Sequence, residues 1–149
     1  MISAPRLTLD EAKILIEGGE LKAKELGISV NIAIVDDEGY LIAFHRMDDA
    51  RIIGIETAIN KAFTSALSRR PTRVYSESAQ PGKPSYGIQN MFNGRFTILK
   101  GGLPIEVDGK VIGGIGVGGA YSSDQDEEIA RAALNYLKSK TGLNVNTNV

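Results

Sequence analysis

The chain reads as an α+β fold with a mainly antiparallel sheet. Three observations predict this. Two β-hairpin signals stand in the chain, one at each side of its middle. A capped amphipathic helix stands near each end. No strand–helix–strand repeat of the kind that builds a parallel sheet appears.

Thr8 followed by Glu11 is a capping box, in which a hydroxyl and a carboxylate satisfy early backbone donors. Ala12, Leu15, Ile16, Gly19, Ala23 and Leu26 recur at helical spacing, and Gly27 is a stop signal, so the first helix is expected over 8–26. Val30 to Val35 is apolar and β-branched and reads as a strand. Asp36-Asp37-Glu38-Gly39 is a turn, and Tyr40 to Met47 a second strand. That strand is apolar on both faces, with Leu41 and Ala43 on one and Ile42 and Phe44 on the other. It therefore needs cover on both sides, from helices or from another subunit.

A second helix is expected over 53–67, with Ile55, Ala58, Ile59, Ala62 and Ala66 on its apolar stripe. Arg69-Arg70-Pro71 ends it. Residues 71–94 hold three of the five prolines and are too long for a plain connection, so short helical turns are expected there. Phe96–Leu99 reads as a third strand and Leu103–Val107 as a fourth. Asp108-Gly109 is a hairpin turn, and Lys110–Val117 a fifth strand. Ser123 is expected to cap a last helix over 123–138, with Gly142 past its end. The tail 143–149 is expected to fray. Residues 1–149 form a single domain, with no repeat and no linker.

Composition narrows the chemistry. The 149 residues carry a formal net charge of -1, so there is no basic footprint and nucleic acid is not an expected partner. Cysteine is absent, which excludes disulfides, cysteine nucleophiles and thiolate metal sites. One histidine cannot make a two-histidine zinc site within one chain. No apolar run suits a secretory signal or a membrane span, so a cytoplasmic protein without membrane partners is expected. Aromatic residues are only 6%, few for covering two sheet faces with three helices, which points to a homo-oligomer of at least two copies.

Four features could carry chemistry. Eight of the 17 glycines lie between Gly101 and Gly119, and Gly114, Gly116 and Gly118 alternate along one strand face. A helix or a ligand must press on that face. Gly114-Ile-Gly-Val-Gly-Gly119 matches a dinucleotide-binding spacing, but only one helix follows it, and that helix opens with Asp124, Asp126, Glu127 and Glu128. Those carboxylates would repel a pyrophosphate, so the dinucleotide reading is rejected. His45, Arg46 and Asp48 end the second strand. His45 is read as a strand histidine with one hydrogen bond or as an axial heme ligand; Arg46 and Asp48 as an ion pair or as ligand anchors. Lys61 lies mid-helix, where it snorkels outward or pairs with a carboxylate such as Asp48. The site expected from these positions is one cleft lined by Arg46, Asp48, Lys61 and the backbone of Gly101 and Gly102, with His45 beside it. Its cations and free amides suit a carboxylate or a heme propionate.

Arg46-Met-Asp-Asp-Ala50, then Lys61-Ala62 with Thr64 and Ala66, then Gly101-Gly-Leu-Pro-Ile105, then Val111-Ile-Gly-Gly-Ile-Gly-Val-Gly-Gly119, then Asp124-Gln-Asp126 together resemble the GlcG/HbpS-like family. That family includes the C-terminal domain of PduO-type proteins. The likeness runs from about Leu7 to Leu137 with the segments in order. It implies a profilin-like α/β/α fold whose five-stranded antiparallel sheet has the order 2-1-5-4-3, and homo-oligomers. It also implies heme binding in some relatives, and a setting near glycolate, diol or cobalamin metabolism in others. Relatives that hold heme through a histidine of the first helix have no counterpart here, since residues 8–26 contain none. His45 is the only substitute, and the identity of any metal stays open. The expected function is a non-enzymatic oligomeric module binding heme, a corrinoid or a related metabolite. The alternatives are an enzyme acting on a small hydroxy acid or diol-derived metabolite, with Lys61 or Asp48 as base, and a structural oligomer without a ligand.

Overall fold

The computed structural model describes residues 1–149. Its elements are α1 (Leu9–Glu25), β1 (Asn31–Asp36), β2 (Leu41–Arg46), α2 (Ile53–Ser68), α3 (Arg73–Ser78), a 3-10 segment (Ile88–Gly94), β3 (Gly102–Val107), β4 (Lys110–Gly118) and α4 (Ser123–Thr141). The strands form one antiparallel sheet in the order β2-β1-β4-β3. One face packs against α1 and α4, and the other against α2.

Local signals explain most element ends. The capping box of α1 forms, with the Glu11 amide donating to Thr8 Oγ1 and the Thr8 amide donating to Glu11 Oε2. The first hairpin turns on Asp36, whose Oδ1 accepts from the amides of Glu38 and Tyr40 at 2.9 Å each. Asp108 and Gly109 both take positive φ, +50° and +77°, as a tight two-residue hairpin turn requires. The cap of α4 is Ser122 rather than the expected Ser123: its hydroxyl accepts from the Gln125 amide, and the helix runs on to Thr141.

The expected five-stranded sheet is corrected to four strands, because Phe96–Leu99 pairs with no strand. Its backbone turns instead to α2: the Thr97 amide donates to Thr64 Oγ1 at 2.9 Å. Phe96 is buried edge-on against Tyr75 of α3, with ring centroids 4.8 Å apart. The segment thus follows the helix layer and leaves the sheet edge to others. The Thr72 amide donates to the Gly102 carbonyl at 3.0 Å. The tail 143–149 takes the rest of that edge and does not fray. Val145 is buried and bridges Val107, the Asn146 amide donates to the Glu106 carbonyl at 2.9 Å, and Arg131 donates to the carbonyls of Thr147 and Val149 at 2.8 Å each.

The glycine face of β4 is filled by a helix. A Cβ on Gly114 would strike the Ala62 carbonyl oxygen of α2, and one on Gly116 the Ala58 carbonyl oxygen. Gly118 would meet Thr57 Oγ1 at 2.6 Å. Glycine on the strand and alanine at 58, 62 and 66 on the helix bring the two backbones into direct contact.

Candidate functional site

Arg46, Asp48, Gly102 and Gly118 all stand at one end of the sheet, since Asn31 pairs with both Arg46 and Gly118, and Gly102 with Gly116. They do not share one cleft. Arg46 belongs to β2 and Gly102 to β3, the two opposite edges of a four-stranded sheet. Ordinary strand spacing puts those edges roughly 14 Å apart. Sequence position places these residues at one end of the sheet but does not give the lateral order of its strands.

On the β3 side Lys61 is buried, 3% exposed, and paired within the protein. Its Nζ donates to the Val117 carbonyl at 2.8 Å and to Asp126 Oδ2 at 2.9 Å. The expected partner Asp48 is thereby replaced by Asp126, whose Oδ1 also accepts from the Ala120 amide at 3.0 Å. Burial pushes the Lys61 ammonium below the ordinary lysine value, while the charge of Asp126 and its hydrogen bond pull the other way. Gly101, at φ +121°, makes room for this pair: a Cβ there would sit 2.8 Å from Asp126 Cβ and 2.9 Å from Lys61 Nζ. The Gly102 amide is not open to an anion, because it donates to Thr72 Oγ1 at 3.0 Å. Lys61, Gly101 and Gly102 therefore lock α2, α4 and β4 together.

On the β2 side the molecule is open. Arg46, Met47 and Asp48 line a cavity of about 550 Å³ together with Glu20 and Lys24 of α1 and the loop Gly27-Ile28-Ser29. A second cavity of about 320 Å³ adjoins it, sharing Glu20 and Lys24 and lined also by Lys13, Ile16, Glu17, Leu21 and His45. His45 is opposite Ile32 in the sheet register, and so reaches α1, where its Nδ1 lies 2.7 Å from Glu20 Oε1. Against a carboxylate, Nδ1 is the donor, which leaves Nε2 as the basic nitrogen. The pair is exposed, with 58% of the His45 side chain accessible.

Glu20 and Lys24 were missed from sequence because they read as the polar face of an amphipathic helix. Only the hairpin register shows that this face meets the end of β2. Asp126 read as one of several carboxylates suited to a helix N-terminus.

A family model described as "Haem degrading protein HbpS-like" matches residues 7–135. The chain belongs to the HbpS-like family. Among its HbpS-like relatives, Protein GlcG of Escherichia coli K12 is 38% identical over 111 residues, 74% of this chain and 80% of GlcG. The corrinoid adenosyltransferase PduO of Citrobacter freundii is 31% identical over 138 residues, which cover 93% of this chain but 41% of PduO. The crystal structure of a PduOC:heme complex superposes with a TM-score of 0.87 at 30% identity, covering 97% of this chain and 100% of that one. The family match thus covers most of this chain, and the likeness of fold nearly all of it. No helix in it is long and apolar enough to cross a membrane.

Proposed function

We propose that the protein is a non-enzymatic, homo-oligomeric ligand-binding module for heme or a related tetrapyrrole such as a corrinoid. Its site is the pair of adjoining cavities between α1 and the end of β2. The observation that carries the reading is the 2.7 Å contact of His45 with Glu20, set between those cavities. A metal-ligating histidine commonly gives its other ring N–H to a carboxylate, which fixes the tautomer and raises basicity. His45 has that arrangement ready-made. A PduOC relative whose structure contains heme, and a PduO relative named for corrinoid chemistry, support the ligand class.

The donor set fits heme. His45 would hold the heme iron through its free ring nitrogen, and Lys13, Lys24 and Arg46 would receive the propionates. Ile16, Leu21, Ile28 and Met47 offer the apolar contacts. Bound there, heme would supply redox chemistry or serve as the sensed ligand. Glu20 holds the imidazole in place, and Asp48, lining the same cavity as Arg46, moderates the positive charge. An enzymatic reading with Lys61 as base has little support, since that amine is sealed against Asp126.

Titration with hemin tests the proposal. The wild type is expected to give a shifted Soret band at defined stoichiometry. His45→Ala should remove the shift, and Arg46→Ala should weaken binding by about 1–3 kcal/mol with little change in melting temperature. Cobinamide titrated in parallel distinguishes a corrinoid from heme. A wild type that binds neither, or a Soret shift untouched by His45→Ala, contradicts the assignment.

A further inference from the structure

Asn31 is an unusual residue for the centre of a sheet. It is fully buried, on the strand face it shares with Ala33 and Val35, which pack against α2. An apolar side chain suits such a position. The amide instead donates twice through Nδ2, to the Arg51 carbonyl at 3.1 Å and to the Gly118 carbonyl at 3.3 Å. Its Oδ1 has no hydrogen-bond partner in the chain. A buried acceptor without a partner costs stability, so packing does not account for the residue. Room is kept for the amide: a Cβ on Gly54 would lie 2.5 Å from Nδ2.

The Arg51 carbonyl lies at the end of the corner that joins β2 to α2. That corner, residues 47–51, bends through Asp49, whose φ of +65° is a left-handed conformation costly for a residue with a side chain. Its own backbone bond runs from the Ala50 amide to the Met47 carbonyl at 3.1 Å. Two side chains hold the corner to the sheet. Arg51 Nη2 donates to the Ala120 carbonyl at 2.6 Å, and Asn31 Nδ2 holds the Arg51 carbonyl. Met47 and Asp48 line the larger ligand cavity, while Asp49 and Arg51 line a further cavity of about 340 Å³. Both cavities share the loop Gly27-Ile28-Ser29. Asn31 stands opposite Arg46 in the hairpin and opposite Gly118 in β4, so one side chain ties the end of β2 to the centre of the sheet.

We propose that Asn31 is a positioning residue of the ligand site: its Nδ2 clamps the 47–51 corner in its left-handed bend and so holds Asp48 and Asp49 at the two cavities. The proposal rests on the ligand-site reading above. A strained bend persists only where its surroundings hold it. Without the clamp Asp49 relaxes toward negative φ, and the corner draws its carboxylates away from the loop 27–29. The unpartnered Oδ1 is the stability cost of placing a double donor at that depth.

Asn31→Val removes both donors and the unpartnered acceptor, and the Arg51 carbonyl keeps the Gly54 amide as a donor at 3.0 Å. Native-state hydrogen exchange on the full chain should then show faster exchange at Ala50, with the amides of β1 and β4 still protected. Hemin titration should show affinity weakened about tenfold. Adding Asp49→Gly should restore protection at Ala50, because glycine holds a left-handed bend unaided; a packing defect would not be repaired by it. Asn31→Ala repeats the measurements should valine prevent folding. Unchanged exchange at Ala50, or exchange raised equally across β1 and β4, overturns the positioning role. So does faster exchange at Ala50 with unchanged hemin affinity. A wild type that binds no hemin overturns the ligand-site reading, and exchange at Ala50 then decides whether Asn31 holds the corner.

Discussion

Lys61 and Asp126 form the most deeply buried ion pair in the molecule. Each ion alone would be expensive to bury, and their 2.9 Å contact offsets that cost only while both are present. Lys61→Met is therefore expected to lower stability by about 3–5 kcal/mol, because it strands the Asp126 carboxylate in the interior. Chemical denaturation measures this, and a loss under about 1 kcal/mol would show the pair to be hydrated. The pH dependence has a definite sign. Burial lowers the folded-state pKa of Lys61, so between that value and the ordinary lysine value the unfolded chain binds more protons. The wild type should gain stability relative to Lys61→Met as pH rises through that window. A shrinking gap would contradict the desolvated setting. The sequence marked Lys61 as a residue needing a partner, because a lysine beside an alanine stripe must pair or snorkel. The partner it suggested was Asp48, and the fold of α4 over the end of β4 supplies Asp126 instead.

At the scale of elements, helix propensity, caps and turn chemistry were readable because they act within a few residues. The Thr8–Glu11 box, the Asp36 turn and the Asp108-Gly109 turn all form as read. Apart from the one-residue shift of the α4 cap, the misreadings concern segments whose partners are distant in sequence. Phe96–Leu99 has strand composition, yet its backbone donor goes to Thr64 of α2. The tail has no periodicity, yet it closes the β3 edge through Val145. Removal of residues 144–149 is expected to cost about 1.5–3 kcal/mol from Val145 burial alone and to leave that edge prone to association. Denaturation midpoints with and without the tail, and light scattering, check this. The β4–α2 contact gives a sharper test. Gly116→Ala puts a methyl into the Ala58 carbonyl, which backbone cannot yield without shifting α2. A stability loss of about 1–3 kcal/mol or more is expected by calorimetry; an unchanged midpoint would refute the close approach.

At the scale of the molecule, one end of the sheet divides into two regions of different construction. The β3 side is packed and ion-locked; the β2 side is open, charged and next to an unpaired edge. The residues picked out by type stand at one end of the sheet, but the sheet order separates His45, Arg46 and Asp48 from Lys61, Gly101 and Gly102. The most direct test is amide chemical-shift mapping with zinc protoporphyrin, a diamagnetic stand-in for heme. Shifts confined to residues 13–29 and 45–51 are the expected result. Shifts centred on Gly101, Gly102 and Lys61, or none at saturating ligand, would contradict a tetrapyrrole site between α1 and β2.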